Sequence, residues 1–334
     1  MEKELEVFEV GPCEGGAYEM GFLIGKRFSN MIKSRLATDL ILQTQLIPFA
    51  TSPQSQSLIE SLCETNRTKY PTYWEELLGT AQGSGTETND DCSDVLVVND
   101  SMAVAAHNED ANVALIGHTY LIKATLSNGL TFAAYTYAGE LPSCAFGFNS
   151  NDLAFTLNSV PPLNEEIVAG AVGRNFISRD LLEATCLEDA LKRIHSAEVS
   201  VGHSYNLIDV KSRNILNVET ASNRRISVHE IGRTPFFHAN MYLHLQVQQV
   251  QDENSMSRQR TATQLKKETK TDFLSLLGDT SDEKYPIYMT GPTLHTLCTV
   301  LIDLDEQTIS IIQGNPKKGK ATYVFPMSAQ TRSL

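Results

Sequence analysis

Asn89-Asp90-Asp91-Cys92-Ser93-Asp94 runs straight into Val95-Leu96-Val97-Val98, and the reading of the fold turns on this step from acidic chain to a β-branched apolar run. The second half reads as a buried strand. Asn99-Asp100-Ser101 then gives a turn and Met102-Ala103-Val104-Ala105-Ala106 a return strand, so facing residues should have numbers summing to about 200. That register sets Cys92 opposite Asn108 and beside Asp110. A cysteine at the head of a strand offers a thiol, and if the bond before it were cut it would also carry a free α-amine. An α-amine ordinarily titrates at about 7.7–8.0, which suits a general base near neutral pH.

Upstream of this hairpin the chain reads as mostly helical. After a short strand at Val7-Phe8-Glu9-Val10, Met20, Leu23, Ile24, Phe28, Ile32, Leu36, Leu40 and Ile41 recur at three- and four-residue steps, the spacing of one long amphipathic helix or two in series. Pro53 and Pro71 open further helical stretches. Downstream, Tyr120 to Leu126, Leu130 to Tyr137, Cys144 to Phe148 and Leu153 to Leu157 read as strands, which with the hairpin predict a six-strand antiparallel meander. Helices follow at Asn175 to Ala184 and Leu187 to Ile194. Strands return at Tyr205 to Val210, Ile215 to Val218, Ile226 to Ile231 and Phe236 to Tyr242. A helix is predicted around Thr261 to Lys267 and another at Phe273 to Leu277, before two last strands and an edge strand at Tyr323-Val324-Phe325. This order predicts an α+β chain, a four-layer α/β/β/α sandwich with a mostly helical N-terminal segment. Such sandwiches often host N-terminal-nucleophile hydrolases, although a fold alone does not establish a function.

Composition narrows the partners. Forty acidic against 27 basic residues give a formal charge of −13, which repels phosphate backbones and anionic membranes. Neither nucleic acid nor membrane is an expected partner, and no apolar run reaches the length of a span. Cys13, Cys63, Cys92, Cys144, Cys186 and Cys298 are widely spaced without a C-x-x-C pair, which suggests a reducing compartment with neither structural zinc nor a disulfide frame. The acidic start, Met1-Glu2-Lys3-Glu4, is no secretory signal. Cytoplasm is the expected location, and Arg332-Ser333-Leu334 only faintly matches a peroxisomal address. His238 and His244 are too loosely spaced to argue for a metal, and no dinucleotide or P-loop fingerprint is present, so no cofactor is expected.

Gly15-x-x-Tyr18-Glu19-x-Gly21-x-x-x-Gly25, Cys92-Ser93, Asn108-Glu109-Asp110, Gly147-Phe148-Asn149-Ser150, His238-Ala239-Asn240, Arg258 in Ser257-Arg258-Gln259-Arg260, and Gly314-Asn315-Pro316 occur in this order. Together they resemble the acyl-coenzyme A:6-aminopenicillanic acid acyltransferase family over nearly the whole chain. The resemblance implies self-cleavage between Asp91 and Cys92, which divides the chain into a helical N-terminal segment, residues 1–91, and a catalytic domain, residues 92–334. It makes Cys92 the nucleophile, Asp110 the acid that holds and polarises the centre, and Asn240 an oxyanion-stabilising amide. Arg258 is similar to an arginine near the nucleophile in the more distant bile-salt and penicillin V hydrolases. Asn108 and Asn158 are further oxyanion or substrate-binding candidates.

The implied activity is hydrolysis or transfer of the acyl group of a small amide, of N-acyl-amine or β-alanyl-amine type, through a thioester on Cys92. The implied partners are a small amide or acyl-thioester substrate and the two cleaved fragments, each held by the other. Relatives usually carry a small residue where Asp91 stands, Trp where Glu109 stands, and a longer segment between Gly85 and the nucleophile. A silent scaffold of the same fold and an acyl-CoA-dependent N-acyltransferase are the competing readings.

Overall fold

The computed structural model describes residues 4–84 and 91–327, with the backbone alone at 91 and 92. The shortened linker before Asp91 and the terminal Arg332-Ser333-Leu334 lie outside the described residues. In chain order the elements are β1 (Glu6–Val10), α1 (Gly16–Arg27), α2 (Ser29–Thr38), α3 (Ile47–Ala50), α4 (Gln56–Lys69) and α5 (Pro71–Ser84). Next come β2 (Asp91–Val98), β3 (Ala103–Asn112), β4 (Thr119–Thr125), β5 (Thr131–Tyr137), β6 (Phe146–Asn149), β7 (Leu153–Ser159), α6 (Arg174–Leu181) and α7 (Leu187–Ser196). The remainder is β8 (His203–Asp209), β9 (Asn214–Ala221), β10 (Arg225–Glu230), β11 (Phe236–His238), α8 (Glu253–Gln264), α9 (Lys270–Leu277), β12 (Leu294–Asp303), β13 (Thr308–Ile312) and β14 (Tyr323–Pro326).

Two sheets form among these strands, one ordered β1-β4-β5-β6-β7-β8-β9-β10 and the other β11-β2-β3-β12-β13-β14. Three apolar layers show how they stack. Met20, Ile24 and Ile32 of α1 and α2, with Ile177 and Ile194 of α6 and α7, pack on Tyr120, Phe132, Phe155 and Leu157 of the first sheet. Ala133, Tyr135 and Ala154 from its other face meet Leu96, Ala105, Val300 and Ile309 of the second sheet. Val95, Val97, Val104 and Ala106 then pack under Ala262 of α8 and Phe273, Leu276 and Leu277 of α9. This is the α/β/β/α sandwich expected from the element order, with the β2–β3 pair inside the second sheet. No helix among the described residues is long and apolar enough to cross a membrane.

Four expectations are corrected. The six-strand meander is divided: β2 and β3 belong to the second sheet and β4 to β7 to the first. After β3 the Asn112 side chain accepts from Ala114 N–H at the start of a 3₁₀ turn, and Gly117 at φ 76° turns the chain across to the other sheet. Alternating apolar residues mark a strand and not the sheet that receives it. The hairpin register is one residue further on, with Cys92 opposite Glu109 and Asp91 opposite Asp110. Its connection holds four residues, since Asn99 N–H donates to Met102 O at 2.9 Å and Asn99 Oδ1 accepts from the N–H groups of Ser101 and Met102. β11 stops at His238, since Met241 N–H turns back to Ala239 O at 3.0 Å and Tyr242 N–H donates to Gln249 Oε1 at 2.8 Å. Finally, α8 begins at Glu253, where Asp252 caps it by accepting from Asn254 and Ser255 N–H.

The N-terminal segment is built into this sandwich. β1 pairs in parallel with β4, and α1 crosses α5 at glycines: a Cβ on Gly21 would sit 1.9 Å from Glu76 O, and one on Gly79 2.1 Å from Tyr18 O. Gly21→Ala should therefore force the helices apart at a cost of about 1–3 kcal/mol and lower the melting temperature by several degrees. An unchanged melting curve would contradict this packing.

The two sheets are also tied by polar groups. His107 Nδ1 lies 2.8 Å from Asp94 Oδ1 and its Nε2 3.1 Å from Glu109 Oε2. Across the interface, Thr156 Oγ1 donates to Asp94 Oδ1 at 2.8 Å and accepts from Asn206 Nδ2 at 2.9 Å. Burial acts to lower the His107 pKa, but the two carboxylates outweigh it and hold the imidazole up at about 10. A pKa raised above the unfolded value of about 6.5 stabilises the fold fully below that pH, and the contribution is lost as pH rises toward 10. His107→Gln should accordingly flatten the fall of unfolding free energy between about pH 6.5 and 10. Parallel slopes for the two proteins in denaturant titrations would refute the charged imidazole.

Candidate active site

Along β2 and β3 the side chains alternate between the sheet interface and the α8–α9 layer. Ser93, Asn108 and Asp110 share the helix-covered face with Val95, Val97, Val104 and Ala106. Asp110 is wholly buried, and its Oδ2 accepts from Ser93 Oγ at 3.2 Å and its Oδ1 from Thr296 Oγ1 at 2.5 Å. Burial pushes its carboxyl up to about 7, against the pull of the Arg258 guanidinium and the Thr296 hydroxyl.

Arg258 reaches this group from α8 and is 2% exposed. Its Nη1 donates to Ser93 Oγ, its Nη2 to Asn240 Oδ1 at 2.8 Å, and its Nε to Asn254 Oδ1 at 2.8 Å. Ser93 thus accepts from the guanidinium and donates to Asp110. Asn240 Nδ2 donates to Ser159 O at 2.9 Å, which uses one of the two hydrogens that a primary amide carries. Asp110, Arg258 and Asn240 therefore form one connected group. Asn108 stands apart from it: its Nδ2 donates to Leu277 O at 2.8 Å and its Oδ1 accepts from Thr299 Oγ1 at 2.6 Å, so its amide holds the end of α9.

Position 92 lies at the head of this strand pair. In the β11–β2 pairing His238 faces Asp94, and Asn240 follows two residues after the end of β11. The bond from Asn240 to Ser159 O draws the end of β7 to the same place. Asn158 precedes Ser159 and shares the interface side with Thr156 and Ala154. It is wholly buried, and neither its Nδ2 nor its Oδ1 has a hydrogen-bond partner. Buried amides are nearly always satisfied, so this unpaired one, next to the residue whose carbonyl Asn240 holds, is an exception.

The loop after Asn240 is fixed by a buried anion. Glu219 accepts from Leu243, His244 and Leu245 N–H at 2.6, 2.9 and 2.6 Å. Burial would raise its pKa, but His238, 3.5 Å away, and these N–H groups hold it down to about 2. Among the described residues no three His, Cys, Asp or Glu side chains converge as a metal site.

Sequence reasoning misses Ser93, Asp94, His107, Thr296 and Glu219 as parts of this region. The available signal is His107-Asn108-Glu109-Asp110, four polar residues continuing the apolar return strand. The expected strand ends at Ala106, whereas β3 carries the polar run on to Asn112 with all four residues wholly buried. Buried titratable side chains in a strand are rare enough to mark function.

The profile of the family described as acyl-coenzyme A:6-aminopenicillanic acid acyl-transferase matches residues 97–318, a span that begins within β2, past Cys92. The Drosophila melanogaster β-alanyl-dopamine/carcinine hydrolase is 24% identical over 367 aligned residues, covering 94% of this chain and 94% of that protein. Among solved structures, a Caenorhabditis elegans ortholog of N-acylethanolamine-hydrolyzing acid amidase superposes with a TM-score of 0.44 at 11% identity, covering 64% of this chain and 93% of that one. On the profile match, which takes in well over half of its residues, the chain belongs to the acyl-coenzyme A:6-aminopenicillanic acid acyl-transferase family.

Proposed function

We propose that the chain is an autoprocessed cysteine N-terminal-nucleophile enzyme that cleaves a small amide, of N-acyl-amine or β-alanyl-amine type, through a thioester on Cys92. The observation that carries this reading is the connected group of Asp110, Ser93, Arg258 and Asn240 at the end of β2 where position 92 lies, with the unpaired amide of Asn158 next to Ser159, whose carbonyl Asn240 holds. The relative named for β-alanyl-dopamine and carcinine hydrolysis supports the same reaction type.

In the first stage the Cys92 sulfur attacks the Asp91 carbonyl carbon. The Asp91–Cys92 C–N bond breaks, leaving a thioester and a free α-amine on Cys92, and water then cleaves the thioester to a carboxylate and a thiol. In the second stage this amine takes the thiol proton while the sulfur attacks the substrate carbonyl. Asn240 Nδ2 and the Asn158 amide donate to the tetrahedral oxyanion. The leaving amine departs with a proton, and water releases the acyl group as an acid, restoring the thiol. Asp110 and Arg258, joined through Ser93, hold the strand end that carries the new amine. An amine in place of water as acceptor would give acyl transfer by the same route.

After cleavage the two fragments stay together. Arg179 of α6 pairs with Glu76 of α5 at 2.9 Å, both at most 1% exposed, and Arg35 of α2 donates to Ala138 O at 3.1 Å and Glu140 Oε1 at 3.3 Å. Removing one partner from such a buried pair costs about 3–5 kcal/mol, so these contacts, with β1 in the first sheet, retain the N-terminal fragment.

Cys92→Ala should give a folded chain without amidase activity on a panel of N-acyl amines, and residual turnover near the wild-type rate would refute the nucleophile. Asn240→Ala, measured on cleaved protein, should lower kcat by about a hundred- to a thousandfold with the melting temperature within a few degrees. A large fall in melting temperature with near-normal kcat would make Asn240 a structural amide only.

A further inference from the structure

Between Asp39 and Glu60 the chain carries no Asp, Glu, Lys, Arg or His, although 20% of its residues are charged. At that rate a stretch of this length would hold several charges, so their absence sets it apart. Residues 40–50 form a helical run, started by Asp39, whose Oδ1 accepts from Ile41 N–H at 3.0 Å and Leu42 N–H at 3.2 Å. Within the run only Leu42 is buried, and Leu46 and Ala50, at four-residue steps on the same side, are half-buried. Leu40 is 73% exposed and Phe49 51%, and Ile41 and Ile47 are exposed with them.

Such a helix is weak on its own. Pro48 has no N–H to give to Thr44 O, and the turn before it, Leu42–Leu46, is a π turn. Without charged side chains the run forms no i,i+4 ion pair. Helices shorter than about 12–15 residues are marginal in water and depend on tertiary packing, which one buried leucine supplies poorly. A weak helix that turns four large apolar side chains to solvent needs a cover, and apolar surface of this kind marks an interaction site.

Charge decides what covers it. Membrane-surface helices carry Lys and Arg on their polar face, whereas this run has none, and a chain at −13 is repelled by anionic lipid. A charged partner would find no complementary charge here. A second copy of this chain fits. In a two-fold interface the same patch meets itself, so an apolar, uncharged patch is its own complement. Two chains at −13 also approach with least repulsion where neither presents a charge. Loss of charge around an aromatic side chain is, besides, the composition of an interface core. We propose that the chain forms a two-fold dimer through residues 40–50, with Leu40 and Phe49 as its central anchors. The dimer does not depend on whether Cys92 is the nucleophile.

Sedimentation of the full chain from nanomolar to high micromolar concentration tests this. The wild-type chain should show a reversible monomer–dimer equilibrium, and Leu40→Glu together with Phe49→Glu should weaken it by about a hundredfold, the effect of losing an interface hot spot. A monomer at every concentration, or a dimer that the double substitution leaves intact, overturns the proposal. If the double variant fails to fold, hydrogen exchange on the wild-type chain decides. Amides of residues 40–50 should exchange more slowly as concentration rises through the dimerisation midpoint, and exchange independent of concentration overturns the proposal. Protection that arises only with phosphatidylcholine vesicles, in a chain that stays monomeric, assigns the patch to a membrane and overturns it as well.

Discussion

One residue of register in the β2–β3 hairpin decides which side chains meet at its open end. Side chains alternate along a strand, so a slip of one residue would exchange every group between the sheet interface and the helix-covered face. In the observed pairing His107 faces Asp94 and Glu109 faces Cys92, which gathers Asp94, His107 and Glu109 between the sheets and leaves Ser93 and Asp110 to Arg258. The four-residue connection held by Asn99 sets this register from one end. The His107 bonds to Asp94 and Glu109 set it from the other.

The two faces of the hairpin then do different work. Toward the helices, Arg258 is the hub: it reaches Ser93 on β2, Asn240 beyond β11 and Asn254 on its own helix. Its placement depends on α8 starting at the Asp252 cap, so a local helix signal positions a group that anchors a distant strand. Toward the other sheet, Asp94, Thr156 and Asn206 form a polar bridge across the layer between the sheets. Buried polar networks of this kind cost stability unless every member is satisfied. Here Asn158 and Asp94 Oδ2 have no hydrogen-bond partner, and both lie on the interface side of their strands.

Much of this is legible in the sequence. Element order yields the α/β/β/α layering, because three- and four-residue periodicity and two-residue alternation separate helix from strand over stretches of this length. The ordered motifs lead to the family. The assignment of strands to sheets is not legible, because Val95-Leu96-Val97-Val98 and Leu130 to Tyr137 carry the same kind of pattern while joining different sheets. The register escapes because three turn residues are apparent where the connection holds four. The burial of Arg258 escapes because the polar stretch around it conceals a helix whose cap, Asp252, lies upstream of the expected start. Asn108 resembles a site residue in sequence, yet in space its amide is engaged by Leu277 and Thr299.

The central claim is that catalysis belongs to a cysteine freed at its own N-terminus. Intact-mass spectrometry of the turnover-competent protein, before and after alkylation with iodoacetamide, tests it most directly. The account predicts two fragments meeting between Asp91 and Cys92, the larger beginning at Cys92, with loss of activity tracking a single alkyl adduct on that residue. Full activity residing in an uncut chain, or in a protein cut at another bond, would contradict it.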